Sequence, residues 1–395
     1  MPKSHYPSNY VLPFLRPTWA EIDLGAFRHN FREIKRKLRK SVSLLPVVKA
    51  DGYGHGMEEI ARASLSCGAK LLGVANIEEG IFLRKRRITT PILILGSVYP
   101  LSNFTYILRY NLSPIICSLQ ASQELSKIAR RRKKKVKVHI KVDTGMGRIG
   151  ISAENAASLV KKVIQLPGII VEGIFTHLAA ADSDYQFTME QIGKFQSVIN
   201  ELKQDNINIK YRHAANSTAI LRYSDAHFNL ARPGISLYGL VPFEGAEKEI
   251  DLKPVMQLKT KIVFIKRVKK RTSISYGRTW KANRDSIIGT LPIGYADGYN
   301  RLLSNRAEVL ICGKRVPLVG RVCMDMCMVD VTSLPNVKVG EEVVLIGSQG
   351  KEKITVDEIA KLTGTITYEV VCGISKRVPR IYLRSRRNSG DTILN

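Results

Sequence analysis

The side chains with chemical capacity collect at the ends of short apolar runs. Lys49 closes the run LLPVV and is followed by ADGYGHG. A lysine at the end of an apolar strand has its ammonium partly desolvated, and desolvation lowers its pKa. A Schiff-base lysine needs that property. Gly52, Gly54 and Gly56 then allow the backbone to turn close to a ligand. Similar groups recur downstream: Lys141, Asp143 and Arg148 in KVDTGMGR, His177 after GIFT, His213, Asn216 and Ser217 in HAANS, and Arg232 in LARPG. Each has a plainer reading. Lys49 can be a snorkelling strand-end lysine, and Arg232 before Pro-Gly can cap a turn.

The elements that must position these groups follow a repeated rhythm of apolar run, polar turn and amphipathic stretch. Strands are expected at residues 19–24, 43–49, 71–75, 92–95, 114–117, 136–142, 169–176 and 210–214. Helices are expected at 26–38, 57–66, 153–165 and 186–202. Strands alternating with helices imply a parallel sheet. Roughly eight such units fit a closed (β/α)8 barrel better than an open doubly wound sheet, and such barrels carry their chemistry at the C-terminal ends of the strands. After about residue 242 the pattern becomes β-rich, with runs at 258–268, 286–291, 308–311, 315–318, 326–330 and 342–346 and a short helix at 356–362. The expected organisation is α/β: a loose tail over 1–16, a TIM-like barrel over 17–245, a mostly-β domain over 246–388, and a tail over 389–395.

Composition narrows the function classes. The 395 residues are 44% hydrophobic and 24% charged, which is ordinary globular composition and excludes wholesale disorder. No run approaches the roughly 18 apolar residues of a membrane span. The first residues lack an apolar h-region and a small-residue cleavage site, so a cytoplasmic protein is expected. The net charge is +28, with basic clusters at 35–40, 84–87, 130–135, 266–271 and 384–387. Such runs suit phosphates, but they are scattered and carry no interleaved aromatics. Solvated helix ends and loops are the expectation, with neither a specific nucleic acid nor a membrane as partner. Six cysteines are too few for a disulfide framework in this length. Cys323 and Cys327 lack a second pair at zinc-ligand spacing, so no metal is expected and the thiols are read as reduced and mostly buried.

The segment PVVKADGYGHG resembles the cofactor-attachment segment of the alanine racemase family. The resemblance continues in order through WAEIDLGAFRHN, KVDTGMGRIG, FTHLAAAD, HAANS, ARPGISLYG, SYGRTW, IGYADGY, GRVCMDMCMVD and YEVVCGISKRVPR. It implies a racemase that uses pyridoxal 5'-phosphate to interconvert L- and D-alanine, supplying D-alanine for peptidoglycan. Lys49 would carry the cofactor and work on one face of the substrate Cα, with Tyr276 on the other. A phenol has an unperturbed pKa near 10 and must be tuned for that work, and a chain through His177 and Arg232 would stand behind it. Arg232 would face the pyridine nitrogen; a guanidinium only donates hydrogen bonds, which leaves the ring a weaker electron sink than a carboxylate would. Tyr53, Asn216, Ser217, Tyr368 and the amides of Gly234 and Ile235 would hold the cofactor and its phosphate, and His177 would pack on the ring. Arg148 and Met324 would bind substrate. Lys141 matches a lysine that is often carbamylated in the family. A homodimer would share its sites between chains, with Tyr276, Tyr295, Asp297 and Met324 coming from the neighbour. A broad-specificity or serine racemase of the same fold stays open, as do a barrel decarboxylase, which Arg232 disfavours, and a basic binding protein on a degenerate scaffold.

Overall fold

The computed structural model describes residues 15–383; the tail expected at 389–395 and all but the end of the one expected at 1–16 lie outside them. The chain divides into two compact units. Leu24–Lys253 form one, and the described residues up to Asp23 and from Pro254 form the other.

The first unit is the barrel. Its strands are Ser43–Leu44, Leu72–Val74, Ile92–Ile94, Ile115–Ile116, Val136–Asp143, Ile169–Phe175, Tyr211–His213 and Leu230–Ala231. The pairings between neighbours are parallel. Bridges at Val47–Gly73 and Leu93–Ser113 join the short strands, and the Arg232 amide donates to the Ala215 carbonyl on the closing side. Helices follow the strands with amphipathic faces. Leu119–Arg131 starts on a Ser118 cap to the Ala121 amide, and Tyr185–Gln204 on an Asp184 cap to Phe187.

The expected eight strands need one exchange. The strand expected at 19–24 forms as Thr18–Asp23, but it pairs antiparallel with Met256–Lys261 and parallel with Arg380–Leu383, in the sheet of the other unit. The barrel's eighth strand is Leu230–Ala231, paired with Ser43–Leu44. Two residues before an arginine and a proline carry no period that a sequence pattern can register. Trp19, Glu21 and Asp23 alternate with buried Ala20 and Ile22, which identifies a strand but not its sheet.

The β-rich unit holds a seven-stranded sheet in the order Lys314–Pro317, Glu308–Ile311, Glu342–Gln349, Met256–Lys261, Thr18–Asp23, Arg380–Leu383, with Glu352–Ile354 on Glu342–Gln349. A three-stranded sheet pairs Phe264–Val268, Ser286–Leu291 and Cys327–Asp330. A two-stranded hairpin, Ser273–Ile274 with Trp280–Lys281, carries Tyr276 at its tip. Its Ile274 packs with Ile288 and Val319, flanked by Trp280. The expected strand 258–268 breaks at residues 262–263, and the helix Thr367–Gly373 was not expected. Arg16, assigned to the loose tail, is tied down: its guanidinium donates to both oxygens of the fully buried Asp297 at 2.7 and 2.8 Å.

Candidate active site

Lys49, Lys141, Asp143, His177, His213 and Arg232 lie at the C-terminal ends of the barrel strands or just after them. Lys49 is half-buried at the start of Lys49–Tyr53. The backbone there is unusual: Ala50, Asp51, Gly52 and Tyr53 all have φ between 52° and 61°. A left-handed turn costs an L-residue about 1–2 kcal/mol per position. Several hydrogen bonds hold it. Glu79 accepts from the Ala50 amide at 2.8 Å and from the Ala75 amide at 2.6 Å. The Asp51 carboxylate accepts from Met57 N–H at 2.9 Å.

Arg232 is buried and cationic. It donates to the carbonyls of Thr176 and Ala214 at 2.8 and 2.9 Å, to His213 Nδ1 at 2.9 Å and to His177 Nδ1 at 3.4 Å. Burial lowers its pKa to about 9, still above neutrality. His213 Nε2 meets His139 Nδ1 at 2.9 Å. With Arg232 donating to Nδ1, His213 must carry its proton on Nε2 and give it to His139. Both rings stay neutral. Burial first, then the Arg232 charge, holds His139 down to about 3 and His213 well below the usual range. His177 is lowered by the same causes. His139 fits inside the barrel because Gly173 lies against its ring; a Cβ there would overlap the imidazole.

Lys141 is buried with its Nζ 4.4 Å from the centroid of Phe175. The other contacts of that ring are Arg232, 5.2 Å away, and His213, stacked at 4.6 Å. Burial, Arg232 and Arg148 lower the Lys141 pKa to about 7, against smaller pulls from Asp143 and Cys117. The aromatic face offsets part of the like-charge repulsion. Arg148 is exposed, on a loop ordered by Asp143, whose carboxylate accepts from the amides of Gly145, Met146 and Gly147.

A second cluster suits a phosphate. Ser217 Oγ accepts from Gly234 N–H at 3.0 Å and Ser236 N–H at 3.4 Å. A Cβ on Gly234 would lie 2.6 Å from Tyr53 Oη. The Tyr53 ring stacks on Tyr238 at 4.7 Å, and Tyr238 Oη donates to the Val47 carbonyl. Gly234 caps and Ile235 begins the short helix Ile235–Tyr238, whose first amides have no acceptor within the helix. The buried Ser236 Oγ has no partner. Asn216 is engaged as the cap of Ser217–Arg222, accepting from Ala219 N–H at 2.9 Å. The buried Arg232 cation, main-chain N–H groups and a cradle with no room for a Cβ together fit an anionic ligand carrying a phosphate.

The β-rich unit places the other expected residues. Tyr276 is 72% exposed. Its neighbours Ser275, Gly277 and Arg278 have φ of 66°, 69° and 52°, and Ser275 Oγ donates to the Arg321 carbonyl at 2.7 Å. Met324 and Tyr295 are exposed, and the Ala296 amide donates to the Met324 carbonyl. Asp297, expected with them at a shared site, is buried on Arg16 and the Gly294 amide. Tyr368 is half-buried in Thr367–Gly373. Of the cysteines, only Cys327 is buried, which corrects the expectation of mostly buried thiols. Their spacing carried no periodic signal of facing.

His139 and Phe175 were missed, and His213 was noted only as a strand-end group. A signal existed. His139, Lys141 and Asp143 recur at period two in KVHIKVD, which puts them on one face of a barrel strand.

Comparison with known proteins now decides the family. The alanine racemase N-terminal domain matches residues 22–242 and the alanine racemase C-terminal domain residues 255–382. The chain belongs to the alanine racemase family. A curated alanine racemase of Halothermothrix orenii is 48% identical, covering 93% of this chain and 97% of that protein. Alanine racemase 1 of Clostridium acetobutylicum is 46% identical over 94% and 96%. Among solved structures, alanine racemase of Clostridium difficile superposes with a TM-score of 0.90 at 38% identity, over 95% of this chain and 98% of that one. The Bacillus anthracis enzyme, solved with bound L-Ala-P, gives 0.88 at 38% identity over 95% and 97%. The fold is therefore the family's TIM barrel followed by a β-rich domain.

Proposed function

We propose that this chain racemises alanine with pyridoxal 5'-phosphate held at the C-terminal end of its barrel. Membership of the family makes it an amino-acid racemase, an isomerase. The buried Arg232 cluster beside the Ser217–Gly234 cradle carries the cofactor reading: two adjoining sets of donors suit a ring nitrogen and a phosphate.

The cofactor, when bound, supplies a conjugated electron sink that acidifies the amino-acid Cα–H. Lys49 would hold it through Nζ. Tyr53, Ser217, the Gly234 and Ile235 amides and Tyr368 would hold its phosphate, with Asn216 fixing the helix that presents Ser217. Arg232 stays charged and, braced by His213, directs donors only. Lys49 would move the Cα proton on one face and the Tyr276 phenol on the other. An exposed phenol on a rigid hairpin tip suits a residue offered to the partner of a homodimer. Arg148 and Met324 would set the substrate carboxylate. Lys141 at a pKa of about 7 is largely neutral near pH 8, which lets Nζ attack CO2, form an N–C bond and release one proton. The carbamate would replace a charge that repels Arg148 with one that attracts it.

Among the described residues, no helix is long and apolar enough to cross a membrane, and no group of His, Cys, Asp and Glu is placed to hold a metal ion. We place the enzyme in the cytoplasm, supplying D-alanine for peptidoglycan. The test is a chiral assay of the holoenzyme over a panel of amino acids, with borohydride trapping and peptide mapping. Racemisation of alanine with the label on Lys49 supports the reading. A label elsewhere, or serine turning over faster than alanine, overturns it.

A further inference from the structure

Three of the five basic runs that look scattered along the sequence, 35–40, 84–87 and 130–135, lie at one end of the barrel. The barrel strands run parallel, so each helix returns antiparallel and each helix-to-strand connection lies at the N-terminal ends of the strands. That end is opposite to Lys49 and Arg232. Connection 37–42 follows Leu24–Arg36, 86–91 follows Ile77–Lys85, and 132–135 follows Leu119–Arg131. Each carries exposed cations: Lys37, Arg39 and Lys40, then Arg86 and Arg87, then all of 132–135. None of the three connections contains an Asp or Glu. They precede the first, third and fifth strands of the barrel, and Lys70 stands before the second. Arg84 donates to the Asn111 carbonyl and Lys134 to that of Leu108, which ties the intervening connection to both neighbours.

Helix electrostatics do not account for this charge. Cations in a last turn complement the helix dipole, which explains Lys35 and Arg36, or Arg130 and Arg131. The connection residues lie beyond the helices. Several barrel cations are matched: Arg62 shares Glu58 with Arg86 of connection 86–91, Lys161 has Glu201 and Asp205, and Lys137 and Lys210 share Glu172. Among the described residues, Arg39, Lys40, Arg87, Arg132, Lys133 and Lys135 have no carboxylate partner.

We propose that this end of the barrel docks on an anionic lipid surface. The cations spread over an arc of one barrel end, an area that a plane of headgroups meets all at once. A nucleic-acid duplex is a rod and meets only a stripe. A single strand needs aromatics to stack its bases, and the three connections contain no Phe, Tyr or Trp. Tyr110, in the intervening connection, lies under the Arg109 guanidinium at 5.6 Å. The apolar residues of the three connections, Leu38, Val42 and Ile88, are buried, so nothing there inserts into hydrocarbon. The association is electrostatic, peripheral and released by salt. It revises the expectation of merely solvated helix ends and leaves the catalytic end of the barrel pointing away from the lipid.

The test is cosedimentation of the holoenzyme with vesicles of phosphatidylcholine mixed with phosphatidylglycerol, against phosphatidylcholine alone. Binding to the mixed vesicles only, falling as salt is raised, is expected. The triple variant Arg132→Gln, Lys133→Gln, Lys135→Gln is expected to bind them roughly tenfold or more weakly, with unchanged racemisation. A control triple, Lys266→Gln, Arg267→Gln, Lys270→Gln, removes the same charge from exposed positions of the other unit and is expected to keep binding. Three results overturn the proposal: no binding to the mixed vesicles, equal loss in both triples, or capture of transfer RNA or duplex DNA in preference to the vesicles. Racemase activity is read separately, so failure here leaves the catalytic reading standing.

Discussion

The barrel end and the Tyr276 hairpin present their polar side chains under opposite conditions. At the barrel end, Arg232, Lys141, His213 and His139 are buried, and each charge or proton is fixed by burial and a named partner. At the hairpin tip, Tyr276 is exposed, and what is fixed is the backbone beneath it, through Ser275 on Arg321 and φ values in the left-handed region. The first region is tuned by desolvation, so its pKa values are already displaced. The second is fixed in its backbone while its side chain stays exposed.

Removing the lysine proposed to hold the cofactor tests that contrast hardest. Lys49→Ala is expected to reduce kcat by at least about 10^4-fold, read by chiral chromatography; a smaller loss would move the chemistry elsewhere. Tyr276→Phe comes next, at roughly 10^2- to 10^4-fold. Cofactor affinity is expected to hold and Cα-proton exchange by NMR to persist from one substrate enantiomer. Parallel loss of affinity would make the hairpin part of the binding cradle instead. Gly234→Ala sets a Cβ against Tyr53 Oη. At about 1–3 kcal/mol of overpacking, it is expected to weaken cofactor binding by roughly ten- to a hundredfold in a fluorescence titration, with kcat at saturating cofactor little changed.

The smallest effect is on stability. Lys141 titrates near 7 when folded and near 10.5 when unfolded, so between those values the unfolded chain binds more protons. Native stability therefore rises with pH across that window, and the whole penalty is present below pH 7. Urea midpoints in CO2-free buffer are expected to climb from pH 7 to 10. Lys141→Met is expected to flatten the slope and to stabilise the protein at neutral pH by on the order of a few kcal/mol. An unchanged slope would place the titration on another group.

Much of the barrel was legible because its strands and helices have different periods. Apolar runs such as VKVHIKV and the amphipathic stretch 153–165 announce their type within a few residues. Leu230–Ala231 was not legible, since two residues have no period, and the sheet of Thr18–Asp23 was not, since alternation names a face but not a neighbour. In the site, Lys49, Lys141, Ser217 and Arg232 were visible as polar residues ending apolar runs. The His139–His213–Arg232 chain was not, because its members come from three strands separated by most of the barrel.

The sequence by itself determined which residues have chemical capacity and stand at strand ends, since strand ends, glycine turns and residue types are local properties of the chain. It also set the total charge. Only the tertiary structure decided which of those residues share a proton, which thiols are covered, and that separate basic runs occupy one end of a barrel. Those outcomes depend on distances between segments far apart in the chain, which closing eight parallel strands into one cylinder alone determines.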